Sequence, residues 1–260
     1  MRLGLVTYQW GKDWNLASLL RNCVAGGVGG IELRTTHAHG VEPKLSVGER
    51  AEVRRMFADS GVVCLGPGSN ERFDHPDPGV LRSAINRTKE FVRLSHDIGG
   101  TGVKVKPNDF HEGIAREKTI DQIGTAIGEV AEYALGFGQE IRLEVHGQCA
   151  ELATIAKIIG VADHPSAKVC WNSNRQDLAG AGLAANFEMV ANLLGETLHV
   201  RELDSEDYPY SKLMDLLVGI DYAGWVMLEA SSTPEDKVLA MKGQKLIFER
   251  LLKSARRRAA

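Results

Sequence analysis

The sequence predicts a single (β/α)8 barrel spanning residues 1–260. Three observations predict it. Short apolar runs alternate with helically periodic segments from end to end, and alternation of this kind implies parallel strands joined by right-handed crossovers. Eight such runs occur, near residues 3–7, 29–33, 62–66, 102–106, 140–145, 167–171, 197–203 and 224–229. They are rich in Val, Ile and Leu, as strands covered on both faces are. The length of 260 residues, 43% of them hydrophobic, accommodates one such barrel and its core.

Each run and the segment after it can be justified in order. The first ends in Thr7-Tyr8-Gln9-Trp10, and Leu16, Leu19, Leu20 and Cys23 then share a helical face. The second ends in Glu32-Leu33-Arg34, followed by Thr35-Thr36-His37-Ala38-His39 and a helix with Val53, Met56 and Phe57 on one side. His37 and His39 have turn character around them, a solvated loop or a lid. The third ends in Gly66-Pro67-Gly68-Ser69-Asn70, before a long helix marked by Leu81, Ile85, Phe91, Val92, Leu94 and Ile98. The fourth ends in Lys104-Val105-Lys106-Pro107-Asn108, before Ile120, Ile123, Ile127, Val130 and Ala134.

The fifth ends in Glu144-Val145-His146-Gly147, before Leu152, Ile155, Ile158 and Ile159. The sixth ends in Trp171-Asn172-Ser173-Asn174, before Phe187, Val190 and Leu194. The seventh carries His199-Val200-Arg201-Glu202-Leu203-Asp204, before Leu213, Leu216 and Leu217. The eighth ends in Leu228-Glu229-Ala230-Ser231, before a face of Val238, Met241, Leu246 and Phe248. Ser231 to Glu235 predicts the start of that last helix, with Pro234 in its first turn and a free N-terminus able to hold an anion. Glycines between helix and strand, such as Gly27 and Gly61, suit helix C-caps.

Composition excludes several classes. A net charge of −3 with 31 Lys and Arg against 34 Asp and Glu gives no general nucleic-acid footprint. No window approaches the ~20 apolar residues of a membrane span, and the N-terminus enters a strand at once, without a secretion signal. The four cysteines, Cys23, Cys64, Cys149 and Cys170, form no CxxC pair and read as core thiols. A cytoplasmic location is expected. Trp10 and Trp171 suit either packing or a sugar-stacking wall. Apolar helix faces leave room for a homo-oligomer.

Chemistry in such a barrel sits at the C-terminal ends of the strands. Glu144, Asn172, His199 and Glu229 recur at intervals of 28, 27 and 30, one strand–helix unit each, so neighbouring strands aim them at one point. Two carboxylates, an amide oxygen and an imidazole suit a divalent ion such as Mn, Mg, Co or Zn. By the alternation of side chains along a strand, His146 shares the face of Glu144 and Arg201 that of His199. His146, Arg201, Lys104 and Glu32 are the candidates for substrate contact, with Lys104 and Lys106 also suited to an oxyanion.

These strand ends resemble those of the xylose isomerase-like barrels, a family that includes sugar isomerases and epimerases and shares its superfamily with apurinic-site nucleases. The resemblance is most specific at Leu143–Gly147, Val169–Asn172, Leu198–Asp204 and Met227–Glu229. It implies a metal held by residues 144, 172, 199 and 229, with Glu144 and Glu229 as catalytic proton carriers next to a carbonyl. The substrate it implies is a small sugar, sugar acid or cyclitol. Asn172 departs from the Asp usual in the family, which implies weaker metal binding, another ion or a lost metal. A lyase or dehydratase using the same proton abstraction, and a metal-free sugar-binding barrel, remain alternatives. The nuclease reading lacks both the ligand count and the basic surface.

Overall fold

The computed structural model describes residues 1–260, and its elements alternate as the sequence predicts. Strands β1 (Arg2–Val6), β2 (Gly30–Arg34), β3 (Val63–Arg72), β4 (Gly102–Lys106), β5 (Glu140–Glu144), β6 (Ala167–Cys170), β7 (Thr197–Val200) and β8 (Trp225–Leu228) are all parallel to their neighbours. Helices α1 (Leu16–Gly26), α2 (Val47–Ser60), α3 (Pro78–Asp97), α4 (Arg116–Leu135), α5 (Leu152–Ala162), α6 (Leu183–Glu188), α7 (Tyr210–Gly219) and α8 (Lys237–Ala259) wrap them. β1 pairs with β8, so first and last strands meet. Between β6 and β7 the ladder thins to two isolated bridges, Val169 to Leu194 and Asn172 to His199. There the His199 N–H donates to Trp171 O at 2.7 Å, and the Ser173 N–H to His199 O at 3.2 Å. The barrel therefore closes through two of the residues singled out above.

Local chemistry explains the helix boundaries. Asn15 caps α1, Ser46 and Glu49 form a capping box on α2, and Asp77 caps α3 just before Pro78. Gly27 and Gly61 take the left-handed conformation that ends α1 and α2. The apolar faces pack into one core cluster of 61 residues between strands and helices. All four cysteines are buried and unpaired. No helix is long and apolar enough to cross a membrane.

The structure corrects several expectations. α6 stops at Glu188, because Leu194 lies extended in the bridge to Val169 that helps close the barrel. α8 starts at Lys237, capped by Asp236, so Ser231 to Glu235 form a loop rather than a first turn. Leu246 is 68% exposed. The inner face of α8 instead takes Gln244, which accepts from Leu203 N at 2.7 Å and donates to Asp204 Oδ1 at 2.8 Å. A buried polar side chain is tolerated there because both its ends are bonded.

Candidate metal and substrate site

Alternate residues of each strand point into the barrel, and they build it in layers. At the bottom, Arg142 spans the interior and donates to Leu65 O, Thr101 Oγ1, Glu140 and Glu196. The next layer up holds Glu32, Lys104, Glu144, Asn172 and His199, each at most 2% exposed. Above it lie Arg34, Lys106, His146, Arg201 and Glu229. Gly68 makes room for this middle layer, since a Cβ there would come within 2.6 Å of Glu32 Oε1.

Glu144, Asn172, His199 and Glu229 are brought together as their spacing predicts. Ligand atoms of Glu144, His199 and Glu229 all lie within 4.8 Å of one another. Asn172 Nδ2 donates to Glu144 Oε1 at 2.9 Å. His199 Nε2 meets Glu32 Oε2 at 3.2 Å, which leaves Nδ1 turned to Glu144 Oε1 at 3.6 Å. A carboxylate behind an imidazole in this way fixes ring orientation at metal sites. Glu144 Oε2, Asn172 Oδ1 and His199 Nδ1 are buried and accept or donate no hydrogen bond. Buried polar atoms are seldom left so, and although Lys104 faces Glu144 Oε2 at 2.8 Å, an amide oxygen and an imidazole nitrogen left over beside that carboxylate suit a cation. These residues could hold a divalent metal.

The structure places Glu32 and Lys104 differently from His146 and Arg201. Both are sealed from solvent beneath the rim: Glu32 backs His199, and Lys104 Nζ lies 2.8 Å from Glu144 Oε2 in a charge contact without hydrogen-bond alignment. Lys104 also donates to Ser69 O at 3.2 Å. Burial alone would raise the Glu144 carboxyl, but the Lys104 ammonium and His199 outweigh it and hold it well below the usual range. Burial would lower Lys104, and Glu144 and Glu32 raise it instead, so the pair stays charged. Burial would likewise lower His199, yet the Cys170 sulfur and Glu32 raise it well above its ordinary value.

The rim is more open. Arg201 Nη1 lies 3.6 Å from Glu229 Oε2 and donates to the Glu229 carbonyl at 3.0 Å. Arg34 Nη1 approaches Glu229 Oε1 to 3.9 Å, and its guanidinium stacks on Tyr8. His146 Nδ1 meets Asn108 Oδ1 at 2.9 Å, and burial lowers its imidazole against the pull of Glu144. Asn108 has φ 67°, and the turn after β5 passes close to it: Gly147 has φ 70°, and a Cβ there would sit 2.4 Å from Asn108 O. Strained backbone of this kind concentrates at functional sites.

The sequence points to Arg201 but not to Arg34, although Arg34 stands two residues after Glu32 and so shares its face. The same alternation links Lys104 to Lys106. His39 is buried, not solvated. It bonds Arg34 O at 2.8 Å and accepts from Val41 N at 3.0 Å, pinning the backbone that carries Arg34. Trp10 and Trp171 are core residues at 2% and 0% exposure, not a sugar-stacking wall.

Behind Asn172, the Asp177 carboxylate accepts from Asn174 N at 2.9 Å and from Tyr208 OH at 2.7 Å. Burial pushes it up to about 7. An acid raised on folding binds more protons folded than unfolded, so stability falls as pH climbs from the unfolded value toward 7. Asp177→Asn keeps the acceptor and removes this penalty. Its melting temperature relative to the parent should therefore rise between pH 5 and pH 8, by a free energy of about 1–3 kcal/mol. A pH-independent difference would show that Asp177 does not titrate in this range.

Among known proteins, a model of the xylose isomerase-like TIM barrel family matches residues 20–250. No curated protein matches by sequence. Among solved structures, an L-ribulose 3-epimerase superposes with a TM-score of 0.83 at 19% identity, covering 99% of this chain and 96% of that one. A D-psicose 3-epimerase determined in the presence of D-fructose gives 0.83 at 14% identity, covering 97% and 99%. The IOLI protein with a bound zinc atom gives 0.80 at 16% identity, covering 98% and 99%. At these identities the likeness is one of fold.

Proposed function

The chain belongs to the xylose isomerase-like TIM barrel family, and from that premise we propose a divalent-metal-dependent isomerase or epimerase that moves a proton next to a carbonyl of a small sugar, sugar acid or cyclitol. The observation that carries the proposal is the cluster of Glu144, His199 and Glu229 with Asn172 bonded to Glu144, in which Asn172 Oδ1 and His199 Nδ1 are buried without a partner. Two structural relatives are sugar 3-epimerases and a third carries zinc, which supports the same reading.

Glu144, Asn172, His199 and Glu229 would hold the ion, Mn, Mg, Co or Zn. A bound divalent cation supplies Lewis-acid polarisation of the carbonyl. The rest is work for side chains. Glu144, held ionised by Lys104, is a weak base and a strong acid once protonated. Glu229, at the rim between Arg34 and Arg201 and within 4.8 Å of Glu144, takes the proton α to the carbonyl and is left protonated. It then returns that proton, or one exchanged from solvent, to carbon, and Glu144 is the second carboxylate able to accept it. Lys104 stays beneath as a fixed counter-charge. The test is deuterium uptake from D2O into a panel of ketoses and keto-sugar acids, with and without added Mn. No uptake from any member, with the ion bound, would sink the proposal.

His146 gives a reason to keep elimination in view, since an imidazole beside Glu144 is suited to protonate a departing hydroxyl. Loss of water from a panel substrate, seen by mass, would establish a dehydratase in the same site.

Asn172 sets the expected strength of metal binding. It contributes an oxygen but no charge, and Lys104 already cancels one carboxylate. Asn172→Asp should tighten Mn binding by about tenfold or more, because ligand charge count tunes affinity at hard-cation sites. It should also destabilise the ion-free protein, because the Nδ2 bond to Glu144 becomes a carboxylate pair. Titration of chelator-treated protein followed calorimetrically checks both; unchanged affinity means that residue 172 is not a ligand.

A further inference from the structure

The rim of the site carries more positive charge than its one carboxylate, Glu229, neutralises: Arg34 and Arg201 share Glu229, and Lys106 has no ion-pair partner. Arg34 Nη2 and Lys106 Nζ both donate to one neutral acceptor, Asn70 Oδ1, each at 3.3 Å. Two cations sharing an amide oxygen repel each other. Lys106 makes no ion pair at all, and burial together with the neighbouring Lys104 charge pushes it down to about 8. Arg34 is only 15% exposed, its nearest carboxylate oxygen is 3.9 Å away, and its Nε is buried without a partner. Tyr8 fixes the guanidinium by stacking, and His39 fixes its backbone. A guanidinium and an ammonium held this way form a preorganised anion seat.

We propose that the substrate carries a carboxylate, which docks between Arg34 and Lys106, so that the protein acts on a sugar acid or keto acid rather than a neutral ketose. This deepens the proton-transfer reading and rests on it. The guanidinium that touches the seat also reaches Glu229, so the carboxylate lies near the reacting carbon, not at the far end of the substrate.

A phosphate fits less well. Barrels of this type seat phosphates on backbone N–H groups of the loops after the seventh and eighth strands. Here the N–H groups of Ser231 and Ser232 already donate to the Glu202 carboxylate, at 3.1 and 2.8 Å. Asp236 takes the N–H of Leu239 at the start of α8. The chain supplies its own anions where a phosphate would go, and leaves the unpaired Lys106 beside Arg34, whose only carboxylate contact is the 3.9 Å approach to Glu229.

The test uses D-gluconate and D-glucitol, which differ by a carboxylate in place of a hydroxymethyl group, with D-glucitol 6-phosphate as the phosphate arm. Calorimetric titration of the full chain with Mn present should show gluconate binding at least about tenfold tighter than glucitol, with the preference weakening as salt is added. Lys106→Gln and Arg34→Gln should each bring the two ligands to within about twofold, and Lys106→Arg should restore the preference. Equal affinities in the parent, no measurable gluconate binding, or tighter binding of the phosphate ester would overturn the proposal. Deuterium uptake into neutral ketoses alone would leave the proton-transfer reading standing while this one fails. Gluconate preference in a protein that exchanges no proton would do the reverse.

Discussion

Glu229→Gln should lower deuterium exchange about a thousandfold, the loss expected when a positioned proton carrier is removed, while leaving the melting temperature close to that of the parent. The stability half of this expectation comes from the contacts. Arg201 holds residue 229 through its backbone carbonyl at 3.0 Å, and the side-chain contacts of Glu229 are loose, at 3.6 and 3.9 Å. Glutamine keeps the shape and an acceptor oxygen, and loses only the charge and the basic site. Glu144→Gln should also lose turnover, but it is the less informative variant. It strips Lys104 of its nearest carboxylate and so confounds chemistry with folding. A Glu229→Gln protein that exchanges at the parent rate would remove Glu229 from the proton path. A variant that melts far below the parent would mean that Glu229 is chiefly a structural partner of the two arginines.

The barrel and the convergence of four residues were legible because both depend on period. Strand–helix alternation fixes the architecture, and a recurrence of 28, 27 and 30 residues carries Glu144, Asn172, His199 and Glu229 to equivalent strand ends. What period does not carry is depth within a layer. Glu32 and Lys104 share faces with rim residues, so the sequence assigns them to substrate; only the geometry shows them sealed beneath, against His199 and Glu144. Arg34 was available by the same two-residue rule yet is hidden by its setting, next to a loop whose histidine looked solvated. His39 is buried because it bonds at both ring nitrogens, a fact of three dimensions. The late start of α8 has the same origin. Ser231 and Ser232 look like helix caps, but Glu202, from the preceding unit, claims their N–H groups first.

Lys104→Met should destabilise the metal-free protein by about 3–5 kcal/mol, the usual cost of stripping one partner from a buried ion pair, which is a fall on the order of 10 °C in melting temperature for a chain of this size. Glu144 and Glu32 would be left in the barrel with His199, at 3.6 and 3.2 Å, as their nearest cationic group, and both are at most 1% exposed. Added Mn should recover more stability in the variant than in the parent, because the ion then supplies the charge that Lys104 supplied. The double variant Lys104→Met with Glu144→Gln separates this from a packing defect. If charge is the cause, the second substitution recovers part of the loss, and the two effects fail to add. If the double variant is simply worse than either single one, Lys104 matters for its volume. The outcome also bears on Asn172. A lysine that neutralises Glu144 and an amide in place of a carboxylate both lower the negative charge of the cluster. Restoring one charge by either route, Lys104→Met or Asn172→Asp, should therefore tighten Mn binding, and making both changes should tighten it further while leaving the ion-free protein barely folded.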